Sequence, residues 1–116
     1  MKVGFIVRTG PYTSQNIDTM YKLVKALLKK GHEAEVFLYE DGVINMDADI
    51  KSFEERNIKD RIIELINEGV KVTACGTCAK FRGQTKKDII EDAKHGGMAI
   101  LVSILKSSDK FLSLGF

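Results

Sequence analysis

The residues of this sequence best suited to covalent chemistry are two cysteines, Cys75 and Cys78, which are separated by two residues. Cys75 directly follows an apolar run that predicts a buried strand, and a glycine comes after it. Lys80 and Arg82 lie within seven residues of Cys75, and a helix is predicted to begin near Thr85. Cations and a helix N-terminus favour the thiolate, which is the nucleophilic form of cysteine. We therefore expect Cys75 to be the catalytic nucleophile, with its sulfur accessible at the end of the strand.

The same spacing of the thiols is compatible with three other roles. Free cysteines are often inert core residues. A dithiol oxidoreductase or thiol sensor would use both sulfurs, but a thioredoxin-like site also depends on a nearby proline, and the one proline here, Pro11, is distant in sequence. A zinc site needs further ligands, and His32 and His95, which we expect at the surface, lack paired-ligand spacing. We therefore expect no metal, and the dithiol is the main alternative to a single nucleophile.

Segments with strand and helix patterns alternate along the chain and must position the cysteines. Short apolar runs indicate buried parallel strands, whereas apolar residues at helical spacing indicate amphipathic helices. The run from Met98 to Leu105 fits both patterns, and the glycines before it and the Lys-Ser-Ser after it favour a helix. Residues 43–51 are predicted to be a loop. The predicted strands are 3–7, 35–39, 70–74 and 111–114, and the predicted helices are 15–30, one that opens at a capping box over Ser52–Glu55, a short one that opens at a second capping box over Thr85–Asp88, and 98–105.

This alternation predicts a single α/β domain over residues 1–116, with three α/β/α layers around a mainly parallel sheet of about four to five strands. In open α/β sheets, ligands and reactive groups gather beyond the carboxyl ends of the strands. Three loops follow such strand ends here, namely Arg8–Gly10, Glu40–Gly42 and Cys75–Cys78. The sequence therefore predicts that these loops meet at one edge of the sheet. The two carboxylates of the second loop would disfavour ionisation of a thiol there if they came close to it.

Composition argues against several classes of protein. The formal net charge is +2, with acidic and basic residues interspersed, so the sequence lacks the clustered basic face of a nucleic-acid-binding protein. No apolar stretch approaches the ~20 residues of a membrane span, and the apolar run at the start of the sequence is too short for a signal peptide. The Thr9–Pro11 turn lacks the glycine pattern of a dinucleotide loop. We expect a cytoplasmic protein with reduced thiols, no cofactor, and no direct nucleic-acid or membrane partner.

The segment from Val72 to Gly83, VTACGTCAKFRG, carries an Arg-Gly pair seven residues after its first cysteine. This segment resembles the cysteine region of the DsrE/DsrF/TusD-like sulfur-relay family. The first strand with its Thr9–Pro11 turn, and the run Val36–Tyr39 followed by an Asp-Gly pair, are also similar to members of that family. The resemblance extends over nearly the whole chain and implies the DsrE/DsrF-like fold.

The resemblance implies that Cys75 accepts sulfane sulfur as a persulfide and passes it to an acceptor thiol, as a persulfide carrier or sulfurtransferase subunit. It implies sulfur donor and acceptor proteins as partners, and assembly into homo-oligomers (trimers or hexamers) or into hetero-oligomers with related subunits. Cys78 is an additional thiol that would resolve the persulfide as a Cys75–Cys78 disulfide. The alternatives are a dithiol oxidoreductase or thiol sensor, and a non-catalytic oligomeric subunit. The residues expected to hold the anion or line its pocket are Thr9, Gly10, Gly76, Thr77, Lys80, Arg82 and Gly83.

Overall fold

A parallel five-stranded sheet forms the centre of the molecule in a computed structural model, which describes residues 1–51 and 56–115. The strands are β1 (Lys2–Val7), β2 (Glu33–Leu38), β3 (Lys71–Cys75), β4 (Lys94–Gly96) and β5 (Lys110–Leu114). Their order across the sheet is β4-β3-β2-β1-β5, and all neighbouring pairs are parallel. This sheet confirms the predicted α/β class and its mainly parallel topology.

Helices cover both faces of the sheet. The α-helices are α1 (Asn16–Lys29), α2 (Ile58–Asn67), α3 (Gly76–Phe81) and α4 (Met98–Ser107), and 3-10 helices span Glu40–Met46 and Lys86–Asp88. The crossovers from β1 to β2 and from β2 to β3 place α1 and α2 side by side on one face. The chain then returns from β4 to β5 across the whole sheet, which places α4 on the opposite face. The predicted three-layer arrangement is confirmed.

The main core lies between the sheet and the two helices α1 and α2. The helix α1 buries apolar residues three to four positions apart, because that spacing places them on one face of a helix. They pack against a row of strand residues that are in register across the sheet. Burial of each such side chain stabilises the fold by about 1.5–3 kcal/mol. The residues are Ile17, Met20 and Val24 in α1 and Phe5, Val36 and Val72 in the strands.

The helix α4 approaches the other face of the sheet at two glycines. A Cβ on Gly4 of β1 would come within 2.7 Å of Ile104 Cγ2, and a Cβ on Gly96 of β4 would overlap Ile100. Ile104 is fully buried, so it anchors α4 to the sheet. Three apolar side chains at helical spacing face outward instead and are 45–47% exposed; these residues, Met98, Val102 and Leu105, are called the α4 stripe below.

The prediction of a short α-helix after the second capping box is wrong. The capping box over Thr85–Asp88 exists, with the Asp88 carboxylate accepting from the Thr85 N–H at 2.6 Å. It opens only one 3-10 turn, after which the chain forms the edge strand β4. Pairing with β4 satisfies the backbone groups on the outer side of β3, and a continued helix would leave that side of β3 unpaired. His95 therefore lies in the sheet.

The other boundaries follow local capping. The helix α2 begins at Ile58, where the Asn57 side chain accepts from the Asp60 N–H at 3.0 Å. The predicted capping box over Ser52–Glu55 lies outside the described residues. The loop predicted for residues 43–51 begins inside the first 3-10 helix. The predicted helix α4 and the final strand β5 are confirmed. Among the helices of residues 1–51 and 56–115, none combines the length and the apolar composition of a membrane span.

Candidate functional site

The loops after β1, β2 and β3 meet at the carboxyl edge of the sheet, as the parallel topology predicts. Gly10 lies against Asp41, since a Cβ on Gly10 would be 3.5 Å from the Asp41 carbonyl oxygen. The Asp41 carboxylate accepts a hydrogen bond from Arg82 Nε at 2.8 Å, across 41 residues of sequence. These contacts bring the three loops together in one region, which is called the strand-end site below.

The turn after β2 has an unusual backbone. Glu40 has a φ of 52°, in the left-handed region that a non-glycine residue seldom occupies. Gly42 passes so close to β1 that a Cβ there would lie well inside 3.0 Å of the Val7 carbonyl oxygen. The Asn45 side chain is fully buried and donates to the carbonyl oxygens of Thr9 and Gly42, both at 2.9 Å. The turn is thereby fixed against the end of β1.

Cys75 is the last residue of β3 and the N-cap of α3. Its Sγ accepts a hydrogen bond from the main-chain N–H of Cys78 at 3.5 Å. The Cys75 side chain is only 3% exposed, because α3 and the 3-10 helix over Glu40–Met46 pack around the end of β3. The expectation of an accessible Cys75 sulfur is therefore not met in the single chain.

Cys78 is the partly exposed thiol of the pair and lies in the first turn of α3. Burial, together with a hydrogen bond to Cys75, raises the pKa of the Cys78 thiol above its ordinary value. A hydrogen bond with the main chain of Glu40 and the positive charge of Arg82 act in the opposite direction. Cys78 therefore adjoins Cys75 through the hydrogen bond from its main-chain N–H to the Cys75 Sγ, so the two thiols belong to one site.

Arg82 connects the end of α3 to the turn after β2. Its guanidinium donates to the Asp41 carboxylate at 2.8 Å and to the Cys78 carbonyl oxygen at 3.0 Å. Across the site, Arg8 pairs with Glu40. Each of the two carboxylates that were expected to oppose a thiolate is therefore paired with an arginine, which offsets much of its charge at the thiols.

The remaining predicted site residues have different positions. Thr9 is buried, and its hydroxyl is hydrogen-bonded to Ser14 at 2.8 Å and to Asn16 at 3.0 Å. Its side chain therefore stabilises the conformation of the loop before α1. Thr77 is exposed in the first turn of α3, next to the half-buried Gly76.

Two more predicted residues lie at the far end of α3. Lys80 is exposed in the last turn. Gly83 has a φ of 69° and follows the helix, where its N–H donates to the Lys80 carbonyl oxygen at 3.2 Å. This is the left-handed position that commonly ends a helix, so glycine is needed there for the backbone.

Gln84 and His95 connect the site to the edge strand β4, and sequence reasoning did not find this link. Gln84 is buried, donates to the Val43 carbonyl oxygen at 2.9 Å, and accepts from His95 Nε2 at 2.8 Å. His95, expected at the surface, is half-buried in β4, and burial lowers its pKa although Asp88 acts in the opposite direction. No local pattern signals this link, because the partners are 11 and 41 residues apart in sequence.

No group of three or more His, Cys, Asp or Glu side chains that could hold a metal ion occurs in residues 1–51 and 56–115.

A family model described as the DsrE/DsrF-like family matches residues 1–114, which include the whole strand-end site. The chain belongs to the DsrE/DsrF-like family.

Relatives of this family member extend over most of its length. It is 31% identical over 110 residues to an uncharacterized protein of Methanopyrus kandleri, covering 95% of this chain and 91% of that protein. It is 36% identical over 86 residues to DsrE of Allochromatium vinosum, whose name proposes a sulfurtransferase activity, covering 72% of this chain and 66% of that protein. The crystal structure of the YchN protein of E. coli is similar with a TM-score of 0.91 and 26% identity, covering 98% of this chain and 99% of that chain.

Proposed function

We propose that this chain is a sulfur-relay protein, a persulfide carrier or sulfurtransferase subunit, that accepts sulfane sulfur on Cys75 and passes it to an acceptor thiol. The observation that carries the proposal is the position of Cys75 at the carboxyl end of a parallel strand, where its Sγ accepts a hydrogen bond from the Cys78 main-chain N–H, in a chain of the DsrE/DsrF-like family. The similarity to a relative for which a sulfurtransferase activity is named supports the same class of reaction.

The chemistry needs few groups. The Cys75 thiolate forms a bond to the outer sulfur of a donor persulfide, the sulfur–sulfur bond of the donor breaks, and the donor leaves as a thiol with the proton that Cys75 gave up. Transfer to an acceptor thiol repeats these steps in the opposite direction. The main-chain N–H of Cys78, which donates to the Cys75 Sγ at 3.5 Å, would stabilise negative charge on that sulfur in both half-reactions. No electrons are gained or lost overall, so the exchange requires no cofactor.

Intact mass after incubation with inorganic polysulfide tests this function, because polysulfide is small enough to reach a sulfur that is only transiently open. We expect wild type and Cys78→Ala to gain one sulfur, and fragmentation between the two cysteine positions should locate it on Cys75. The double variant Cys75→Ala/Cys78→Ala is the control and should gain none. If neither wild type nor Cys78→Ala gains sulfur, the proposed function is wrong, and a non-catalytic subunit is the better description.

A dithiol oxidoreductase or thiol sensor is the second candidate, because the two cysteines are separated by two residues at the start of α3, where the Cys78 N–H donates to the Cys75 Sγ. A protein of this kind would lose two hydrogens on mild oxidation as the disulfide formed, and each single cysteine variant would keep its mass. Sulfur gain by Cys78→Ala with no disulfide in the wild type would exclude this candidate as the main function.

We also propose a cytoplasmic oligomer, either a homo-trimer or homo-hexamer or an assembly with related subunits, which exchanges sulfur with donor and acceptor proteins. The α4 stripe supports assembly, because contiguous exposed apolar side chains are typical of protein interfaces. Lys106 is the one charged residue of α4. We expect Val102→Glu to lower the molar mass measured by light scattering, whereas Ser103→Glu, an exposed polar position on the same helix, should leave it unchanged. Equal masses for Val102→Glu and wild type would contradict assembly through α4.

A further inference from the structure

The two sulfurs of the strand-end site differ in accessibility in the order opposite to the one expected from sequence. Cys75, the expected nucleophile, is 3% exposed and belongs to the core cluster. Cys78 is partly exposed. Attack on a persulfide requires the nucleophile to approach the outer sulfur in line with the bond that breaks. A donor persulfide carried on a peptide or protein therefore has a route to Cys78 but not to Cys75.

We propose that Cys78 is the receiving thiol, to which a bulky donor first transfers its sulfane sulfur, and that the sulfur then moves inward to Cys75. This inference rests on the proposed function and adds a second catalytic residue to it. It assigns the two thiols successive roles, with the outer one exchanging sulfur with partners and the inner one storing it away from solvent.

The surroundings of Cys78 include groups that favour a terminal sulfur anion. Burial raises the pKa of the Cys78 thiol overall, and the Glu40 main chain and the charge of Arg82 act against that rise. Arg82 is held in place by Asp41 at 2.8 Å and by the Cys78 carbonyl oxygen at 3.0 Å. Glu40 adopts its left-handed backbone at this same point, and strained backbone of this kind often marks functional sites.

The inward step follows from the closeness of the two cysteines, in which the Cys78 main-chain N–H donates to the Cys75 Sγ at 3.5 Å. In the first transfer, the Cys78 thiolate bonds to the outer sulfur of the donor, the donor's sulfur–sulfur bond breaks, and the donor leaves as a thiol. The Cys75 thiolate then bonds to the outer sulfur on Cys78, and the bond between that sulfur and Cys78 breaks. Cys78 leaves as a thiolate and takes up the proton that Cys75 gave up when it ionised. One sulfur has moved, and nothing has been oxidised or reduced overall.

Loading by two donors of different size separates this inference from the proposed function. Glutathione persulfide is the bulky donor, and inorganic polysulfide is the small one. With glutathione persulfide we expect the loading rate of Cys78→Ala to fall by about tenfold or more, because direct transfer to Cys75 then requires local opening of the fold. With polysulfide the same variant should load at close to the wild-type rate. Cys75→Ala should take one sulfur from glutathione persulfide, located on Cys78.

Two results would overturn the inference. The first is loading of Cys78→Ala by glutathione persulfide at the wild-type rate. The second is a wild-type protein that loses two hydrogens and releases hydrosulfide, because Cys78 would then attack the inner sulfur and discharge the persulfide. Failure of both donors on Cys78→Ala and on wild type would instead refute the proposed function. Cys78→Ser, which keeps the size of the side chain, should behave as Cys78→Ala does, and thermal unfolding of each variant checks that the fold is intact.

Discussion

Replacing Gly42 with alanine tests the close packing that positions the turn after β2. The added Cβ would meet the carbonyl carbon and oxygen of Val7, both inside 3.0 Å. These are backbone atoms of a strand that is paired with β2 on one side and β5 on the other, so no rotamer change can move them away. The turn itself must shift, and Asp41, the adjacent residue that holds Arg82, must shift with it.

The expected cost follows from this geometry. One extra methyl group in a packed interior destabilises a protein by about 1–3 kcal/mol when side chains can adjust. Because the atoms that Gly42→Ala meets belong to the backbone, we expect about 3 kcal/mol, the upper end of that range. For a chain of 116 residues, 1 kcal/mol corresponds to about 4 °C in Tm. The variant should therefore melt about 12 °C below wild type.

Gly10→Ala is the matched control, since Gly10 lies in the neighbouring loop and its added Cβ would be 3.5 Å from the Asp41 carbonyl oxygen, an ordinary contact. Neither glycine has a left-handed φ, so alanine is tolerated by the backbone at both positions. Circular dichroism during urea unfolding measures both free energies of unfolding, and Gly10→Ala should lie within about 0.5 kcal/mol of wild type. Equal stability of the two variants would refute the close approach of the turn to β1.

Three further predictions concern other parts of the molecule. Phe37→Ala should lower the free energy of unfolding by about 3–5 kcal/mol in urea titrations, because that residue is fully buried. The control Phe81→Ala, at a residue that is 83% exposed, should change it by less than about 0.5 kcal/mol. Asp18→Asn should cost about 1.5–3 kcal/mol in the same assay, because Arg56 and Arg61 both donate to that carboxylate, and Asp60→Asn at an exposed position is the control. The alkylation rate of Cys78 by iodoacetamide should reach half its maximum at a pH above the ordinary pKa of cysteine, because burial disfavours the thiolate. Arg82→Met should move that midpoint higher still, because it removes a positive charge that favours the thiolate. A midpoint below the ordinary pKa would contradict the site geometry.

Local pattern alone was sufficient for most of the layers of this protein. The strands β1, β2, β3 and β5 and the helices α1 and α4 were predicted because burial on one or both faces leaves a periodic record in the sequence. The same logic located Cys75 at the end of a strand. The second capping box failed as a predictor of a helix because it specifies the first turn only. A further helical turn does not follow, because residues 94–96 pair with the otherwise free edge of β3 as a strand.

Tertiary structure decided which sulfur meets solvent and what surrounds it. The burial of Cys75 results from α3 and the first 3-10 helix packing over the strand end, and the partly exposed Cys78 follows from the same packing. The pairing of Arg82 with Asp41 joins residues 41 positions apart, as does the bond from Gln84 to the Val43 carbonyl oxygen. Contacts between distant residues leave no period in a single sequence, so its pattern could locate the thiols in the fold but could not order them by accessibility.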